Sequence, residues 1–404
     1  MAPHRLPPVS PERGAVLVHV AIVLLGLLAL TSFVVDYGVM WAARRQAQNS
    51  ADAAAMAGAI SLAFVDFSDQ DLARQSALTV AGVNRVWASA PDVTPGDVTF
   101  PLCPPGSPGA GTNSCIRVDV FRNQRGGGNP LPTFFAGLVG ITEQGVRATA
   151  TAEALFGDST DCVKPFAIPD KWLEQRNDSG PAGWSETDTF ERYNRDGTLM
   201  SPADFYSAAT GFTPQSVGPG GGDYGRYITL KSGNPNAAIA PGWYHPVVIN
   251  QAEGPGGANY RENIATCDPT VIGPGTLLDV EPGNMIGPTR QGMNDLIALD
   301  PTATWDPDLN GSGRGGVSGG CMASGACAIS PRLVAIPVFD PDAYDAGRAS
   351  GRVTISVVKV LGFFIDRMNG NEVAGYIMTY PSAPRAGMGG VPGSNFVVSA
   401  ALVR

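Results

Sequence analysis

An uncharged apolar run near the N-terminus restricts this chain more than any other feature of its sequence. From Ala15 to Val35 the 21 residues carry no formal charge, and the only polar interruptions are His19, Thr31 and Ser32. A helix of this length crosses roughly 30 Å of hydrocarbon. The sequence therefore predicts a single membrane-spanning helix that anchors the rest of the chain.

A cleaved signal peptide is the alternative interpretation of this segment. Arg5 and Arg13 precede the run, and a small-residue triplet follows at residues 55–57. The apolar region of a signal peptide spans about 7 to 15 residues, with the cleavage site close behind it. Here the run is longer, and Asp36 and Arg44 intervene before the triplet. We therefore favour an uncleaved anchor.

The pattern after the span predicts that the same helix continues to about Leu62, because no proline intervenes. Small residues recur on it at three- or four-residue steps. The stripe consists of Ala47, Ala51, Ala55 and Gly58. Two interpretations stay open: alanine is simply the best helix former, or the stripe, together with His19 in the span, docks the helix against another helix of an assembly.

The ordered sequence around this helix resembles a known family. Residues 35–38 read Val-Asp-Tyr-Gly, and residues 43–59 read Ala-Arg-Arg-Gln-Ala-Gln-Asn-Ser-Ala-Asp-Ala-Ala-Ala-Met-Ala-Gly-Ala. Both segments resemble the anchor of the TadE/TadG-like family of Flp-type (tight adherence) pilus assembly proteins. Further segments resemble longer, TadG-like members: residues 131–140, 147–152, 165–170, 281–292 and 331–340.

The resemblance implies a membrane-anchored, non-enzymatic accessory factor of pilus assembly without a cofactor. Its implied partners are the lipid bilayer and other pilus assembly or secretion proteins. Processed pilins carry glutamate five residues after the cleaved glycine; if Gly14 were that glycine, His19 would take the place of the glutamate. We therefore expect an assembly factor and not a pilus subunit. An exported surface adhesin or ligand-binding protein, held by the same helix, stays open as the alternative.

The predicted fold class is α+β. The anchor leads into a pilin-like α+β domain, which a mostly β C-terminal domain follows, since Gly and Pro together number 85 residues and favour short strands and turns. The predicted regions are a cytoplasmic N-terminus over 1–14, the anchor and its continuing helix over 15–62, the pilin-like domain over 63–156, a Gly/Pro-rich connecting region over 157–226 and the β domain over 227–404.

Within these regions, spacing predicts individual elements. Helices are expected over 69–87, capped by Ser68 or Asp69, over 132–139, and over 289–299 with Thr289 as N-cap. A bulge is expected at residues 357–358, where the alternation slips. The predicted strands cover 116–120, 146–154, 227–231, 244–250, 333–339, 353–365, 373–379 and 396–403.

Six cysteines, all after the anchor, suit an oxidising compartment. Cys103 and Cys115 bracket one loop, Cys321 and Cys327 bracket another, and Cys162 and Cys267 are left as the third predicted pair. Zinc is not expected, because no C-x-x-C motif occurs and no histidine lies near a cysteine. Arginines flank the span on both sides, so the cysteines and the resemblance decide the orientation. They indicate a single-pass protein of the inner membrane with its bulk in the periplasm.

Other functions find little support in the sequence. The net charge is −9 and no long run of Lys and Arg exists, which argues against nucleic acid as a partner. Residues 316–320 match a nucleophile-elbow pattern around Ser318, but no histidine follows it in the chain and we expect His245 to be a packed side chain. Asp306, Asp308 and Asn310 match half of a calcium loop that lacks its glutamate, so calcium binding there stays undecided.

Overall fold

A long N-terminal helix followed by mixed α and β structure is the architecture of the computed structural model, which confirms this part of the predicted fold class. The structure describes residues 12–64, 70–125, 128–175, 184–185, 187–194, 196–215, 222–233, 238–309, 314–349, 354–385, 388–389, 393 and 395–403. The predicted caps of the second helix, Ser68 and Asp69, lie outside these residues, as does Asn310.

Six α-helices and sixteen strands are present in the described part of the chain. The helices are α1 Glu12–Phe64, α2 Gln70–Val83, α3 Gly257–Ala265, α4 Ile286–Ala298, α5 Gly320–Ala323 and α6 Pro341–Ala349. The strands are β1 Val98–Thr99, β2 Cys115–Arg122, β3 Leu131–Pro132, β4 Glu143–Gln144, β5 Val146–Gly157, β6 Phe166–Pro169, β7 Tyr227–Ser232, β8 Trp243–Pro246, β9 Leu277–Asp279, β10 Ala303–Asp306, β11 Gly316–Gly319, β12 Leu333–Phe339, β13 Thr354–Asn369, β14 Glu372–Met378, β15 Tyr380–Pro381 and β16 Val397–Val403.

Helix α1 is one unbroken rod, because its 53 residues contain no proline. At 1.5 Å per residue it extends about 80 Å. Its described side chains from Val16 to Val35 are all exposed. From Asp36 to Phe64 one face is buried. The helix therefore has two halves with different surroundings, and the change occurs at Asp36.

The C-terminal half of α1 packs with α2 on a five-stranded sheet in the order β1-β2-β5-β16-β15. Neighbouring strands are antiparallel except β15 and β16. In β2 and in the first half of β5, buried residues alternate with less buried ones, as the sequence predicts for half-covered strands. The last six residues of β5 are all buried. The core between helices and sheet is built mainly from alanine and valine, so the helix lies close to the strands.

Strand β16 differs from expectation in its partners. Residues 396–403 form the predicted strand almost to the residue, but the strand belongs to the first sheet and not to the C-terminal β unit. Val397 lies opposite Gly157 and Val403 opposite Thr151, so the pairing covers half of β5. Strand β16 therefore returns the chain to the sheet that α1 and α2 cover.

The second unit is a closed ring of six strands in the order β12-β6-β8-β7-β14-β13, with β13 pairing back to β12. Strand β9 adds to the outside edge of β13. One face of each ring strand contributes to a single apolar core, and helices α3 and α4 pack against it. Because its interior is filled by side chains such as Phe166, Tyr244 and Phe363, the ring is a packed core.

Several predictions for this half need correction. The Gly/Pro-rich connecting region 157–226, for which no strand is predicted, supplies β6, a strand of the ring. Thr289 is not an N-cap: α4 begins at Ile286, and the Thr289 hydroxyl donates to the Met285 carbonyl inside the helix. The bulge is confirmed, because Val338 pairs with Lys359 and Phe339 with Val357.

The two units share a third core. Leu155 and Val397 of the first sheet pack in one cluster with Ala335 and Phe339 of β12. All four side chains are buried. Since this cluster joins β5 and β16 to the outer face of the ring, the sheet and the ring are packed against each other.

Candidate membrane-proximal interaction site

One helix in the described part of the chain, α1, is long and apolar enough to cross a membrane. Its described side chains between Val16 and Val35 are exposed, and Leu17, Leu25 and Phe33 are among the most exposed. Exposed apolar surface of this extent marks a membrane or protein interaction site. His19 lies on this exposed half of the helix.

Asp36, the first residue after the apolar run, holds a loop of the first unit against α1. Its carboxylate accepts hydrogen bonds from the backbone N–H groups of Phe134 at 2.7 Å, Phe135 at 3.0 Å and Ala136 at 2.6 Å. The three donors open a short 3-10 helix over Ala136–Val139. An ionised carboxylate is a strong acceptor for such N–H groups, so Asp36 fixes this loop at the foot of the span.

The loop held by Asp36 is apolar and exposed. Residues 131–142 contain no charged side chain. Phe134 is 57% exposed, Phe135 41% and Ile141 52%. Where the sequence predicts a short apolar helix at 132–139, the structure has the end of β3, a bend and the 3-10 turn. The sequence pattern does not reveal the roles of Asp36 and the two phenylalanines, although a lone acidic residue directly after the apolar run is a signal.

The small-residue stripe has its partners within the chain. Ala47, Ala51 and Ala55 are fully buried, in the core that α1 forms with α2 and the sheet. At Gly58 a Cβ atom would lie 3.2 Å from the Ala73 carbonyl oxygen. The structure therefore places the stripe within the chain's own core, where small residues let α1 lie close to α2 and the strands.

A groove lined by arginine side chains lies beside α1. It has a volume of about 510 Å³, and Arg44, Arg117 and Arg147 line it. Asp119 neutralises part of this charge, since its carboxylate lies 3.1 Å from Arg147 and 3.7 Å from Arg117. With three arginines and one aspartate, the groove has a net positive charge.

All six cysteines are joined in disulfides. The bonds are Cys103–Cys115, Cys162–Cys267 and Cys321–Cys327, the three pairs that the sequence predicts. Two places bring cysteine sulfur near a carboxylate, Glu153 at the first bond and Asp300 at the third. Because disulfide sulfur offers no thiolate, neither place has the ligands of a zinc site.

The remaining candidates for chemistry have structural roles. Ser318 lies in the β10–β11 hairpin with its hydroxyl 3.3 Å from Thr304 Oγ1. His245 is buried and packs on Phe339 and Tyr344, with ring centroids 5.8 and 4.8 Å away.

Of the three residues that match half of a calcium loop, the structure describes Asp306 and Asp308. The Asp306 side chain accepts the backbone N–H of Asp308 at 3.0 Å, which is ordinary turn chemistry.

Burial shifts the pKa values of Asp204 and Lys164 in opposite directions. Burial raises the pKa of Asp204 to about 6, and the neighbouring carboxylate of Glu174 adds to the rise. Burial lowers the pKa of Lys164 to about 8. The Lys164 ammonium donates to the carbonyl oxygens of Asn263 and Thr266 at the end of α3. These carbonyls form the negative end of a helix, so Lys164 closes α3 and is no free base.

Comparison with known families covers the part of the chain that carries this site. A family model described as putative Flp pilus-assembly TadE/G-like matches residues 14–63, and one described as putative Tad-like Flp pilus-assembly matches residues 41–152. No curated protein and no solved structure matches the chain. The two matches together span α1, α2 and the strands up to β5, including Asp36 and its loop. Over residues 14–152 the chain is thus similar to the TadE/G-like and Tad-like families of Flp pilus-assembly proteins.

Proposed function

We propose that this protein is a non-enzymatic accessory factor in the assembly of Flp-type pili, of the TadG-like branch, anchored in the inner membrane by residues 15–35. The observation that carries the proposal is the change along α1 at Asp36, from exposed apolar side chains to one-sided packing. This pattern suits a helix that leaves a bilayer and enters a folded domain. The family matches lie over the same residues.

The proposal places the bulk of the chain in the periplasm. Three disulfides support this orientation, because such bonds persist in oxidising compartments. Since the small-residue stripe is covered, we propose that other pilus assembly or secretion proteins contact the span, including His19, and the exposed face of α1 around Trp41 and Arg44. Neither Ser318 nor His245 has a role in this proposal.

Complementation of a deletion strain tests the function. Loss of the gene is expected to reduce pilus number and surface adhesion, and the wild-type chain should restore both. Leu25, 67% exposed in the span, is replaced by arginine, which costs about 2.5 to 3.5 kcal/mol at the centre of a spanning helix. Leu25→Arg should fail to restore pili, whereas the matched variant Leu25→Ala should succeed. Unchanged pili after deletion would refute the proposed role.

A thiol-labelling experiment separates this proposal from a surface adhesin. Every cysteine is disulfide-bonded, so Leu299→Cys, at a position 60% exposed on the C-terminal unit, introduces one accessible thiol. A membrane-impermeant reagent should label it only after the outer membrane is opened. Labelling on intact cells would favour the adhesin, and labelling only after lysis would contradict the periplasmic orientation.

A further inference from the structure

The loop held by Asp36 exposes apolar side chains at one defined level of the molecule. Phe134, Phe135 and Ile141 are all more than two fifths exposed. Thr133 closes the loop, because its hydroxyl donates to the Ile141 carbonyl at 2.9 Å. Gly140 turns the chain with φ 87°, a conformation that favours glycine. The loop therefore has a defined conformation in which its aromatic rings are exposed.

Asp36 sets the height of this loop relative to the bilayer. The apolar run ends at Val35, and consecutive residues of a helix differ in height by about 1.5 Å. A loop bonded to Asp36 through three backbone N–H groups thus lies where the hydrocarbon ends. Tyr37 and Trp41, just beyond on α1, are more than half exposed, as is typical of aromatic residues at a membrane interface.

After the apolar run, the arginines of α1 follow the aromatic residues Tyr37 and Trp41. Residues 131–142 are uncharged, whereas Arg44 and Arg45 lie two turns farther along α1 and are exposed. The Arg45 guanidinium lies over the Trp41 ring at 5.0 Å. An uncharged aromatic layer followed by cations matches the order of the acyl boundary and the phosphate groups of a bilayer.

We propose that residues 133–141 are a second membrane contact, a loop that inserts Phe134, Phe135 and Ile141 into the outer boundary of the same bilayer that α1 crosses. The loop is continuous with the lipid-facing surface of the span, which distinguishes lipid from a protein partner as its occupant. With two contacts, the ectodomain is fixed in tilt and rotation on the membrane surface. The inference rests on the proposed anchoring of α1.

Quenching by spin-labelled lipids tests the contact on the full chain in nanodiscs. Single cysteines replace Phe134, Ile141, Leu28 in the span and Leu299 on the C-terminal unit, and each carries an environment-sensitive fluorophore. All four positions are exposed, so the variants should fold. We expect lipids labelled near the headgroup to quench positions 134 and 141 strongly, lipids labelled deep in the chain to quench position 28, and neither to quench position 299.

The outcomes separate the two proposals. If position 28 is quenched while 134 and 141 behave like 299, the loop does not touch lipid and the inference is overturned, although the anchor stands. If position 28 is not quenched, α1 does not span and both proposals fail. Because purified protein in nanodiscs has no protein partner, quenching at 134 and 141 also excludes a partner protein as the only occupant of the loop.

Discussion

At the scale of single residues, Gly58 and Gly38 of α1 show whether a glycine is needed for close packing or only weakens the helix. A Cβ atom at Gly58 would lie 2.2 Å from Ile116 Cδ1, whereas nothing lies within 4 Å of one at Gly38. Glycine lowers helix stability at both positions by about 1 kcal/mol relative to alanine. Only at Gly58 does the structure offer a reason to keep it.

We therefore expect Gly58→Leu to destabilise the first unit by about 1 to 3 kcal/mol, because overpacking pushes α1 away from α2 and β2. The matched variant Gly38→Ala should leave stability unchanged or raise it by up to about 1 kcal/mol. Denaturant unfolding of the full chain in detergent, followed by amide exchange of α2, measures both. A Gly58→Leu chain as stable as wild type would show that α1 does not lie close to α2.

The buried pair Glu174 and Asp204 should make stability depend on pH. The Asp204 carboxylate accepts the backbone N–H groups of Gln175 at 2.9 Å and Glu191 at 2.6 Å. Burial beside Glu174 nevertheless raises the pKa of Asp204 to about 6, from 3.8. The folded state thus holds a proton that the unfolded state releases. Its stabilising contribution is complete below pH 3.8 and is lost as the pH rises through about 6.

The expected consequence is a fall in the free energy of unfolding by about 1 to 2 kcal/mol between pH 4 and pH 7. Burial also raises the pKa values of Glu153, Asp170 and Glu281, which adds to this fall, whereas hydrogen bonds lower the pKa values of Asp97 and Asp196, which opposes it. Glu174→Gln isolates the pair, because it removes the like charge. Its thermal unfolding should be less sensitive to pH in this range than that of wild type, and an equal sensitivity would contradict the coupling.

At the scale of elements, β16 is the strand on which the first unit depends most. It covers β5 from Thr151 to Gly157, and Val397 and Val398 are fully buried. Each buried valine contributes about 1.5 to 3 kcal/mol relative to an exposed one. Without β16, half of β5 would become an open edge with unpaired backbone groups.

A chain that stops after Phe396, and so keeps this buried residue of the ring core, tests this dependence. We expect amide exchange in β5 to accelerate by a factor that corresponds to more than about 3 kcal/mol, because β5 loses its partner and two buried valines lose their core. Hydrogen exchange with mass spectrometry of residues 146–157 measures the change. Leu402→Ala, at an exposed position of the same strand, is the control and should leave the exchange unchanged. Unaltered protection in the truncated chain would mean that β5 is stable without its partner.

The sequence predicted those elements whose pattern is local. Helix α1, β2 and β5 follow from apolar spacing within one segment, and the bulge in β13 follows from a slip in that spacing. The partner of β16 could not be predicted, because residues 397–403 read equally well as a strand of either sheet. Strand β6 does not follow from the sequence pattern, because it has only four residues and all of them are buried. Such a strand shows no alternation of apolar and polar residues.

The candidate site shows the same division. The span and the disulfide pairs follow from length and from spacing along the chain. The role of Asp36 does not, since its partners Phe134, Phe135 and Ala136 lie about 100 residues away. Burial of the small-residue stripe likewise depends on α2 and the sheet, which spacing within α1 could not specify.

At the scale of the whole molecule, helix α1, the first unit and the ring are connected one after another by packed contacts. Asp36 joins the loop to the foot of the span, β16 returns the chain to the first sheet, and the cluster around Leu155 and Phe339 joins the sheet to the ring. A force on the ring would therefore reach α1 through packed elements.

The disulfide Cys162–Cys267 should contribute most to the stability of this arrangement. It joins residues 105 apart in sequence, whereas Cys321–Cys327 joins residues only 6 apart. In the chain-entropy account, closing loops of these lengths stabilises the folded state by about 5 and about 2 kcal/mol. We therefore expect Cys162→Ala with Cys267→Ala to lower the free energy of unfolding by about 3 kcal/mol more than Cys321→Ala with Cys327→Ala. Urea unfolding of both double variants in detergent measures the difference, and equal losses would show that native-state contacts, and not loop length, decide the contribution of each bond.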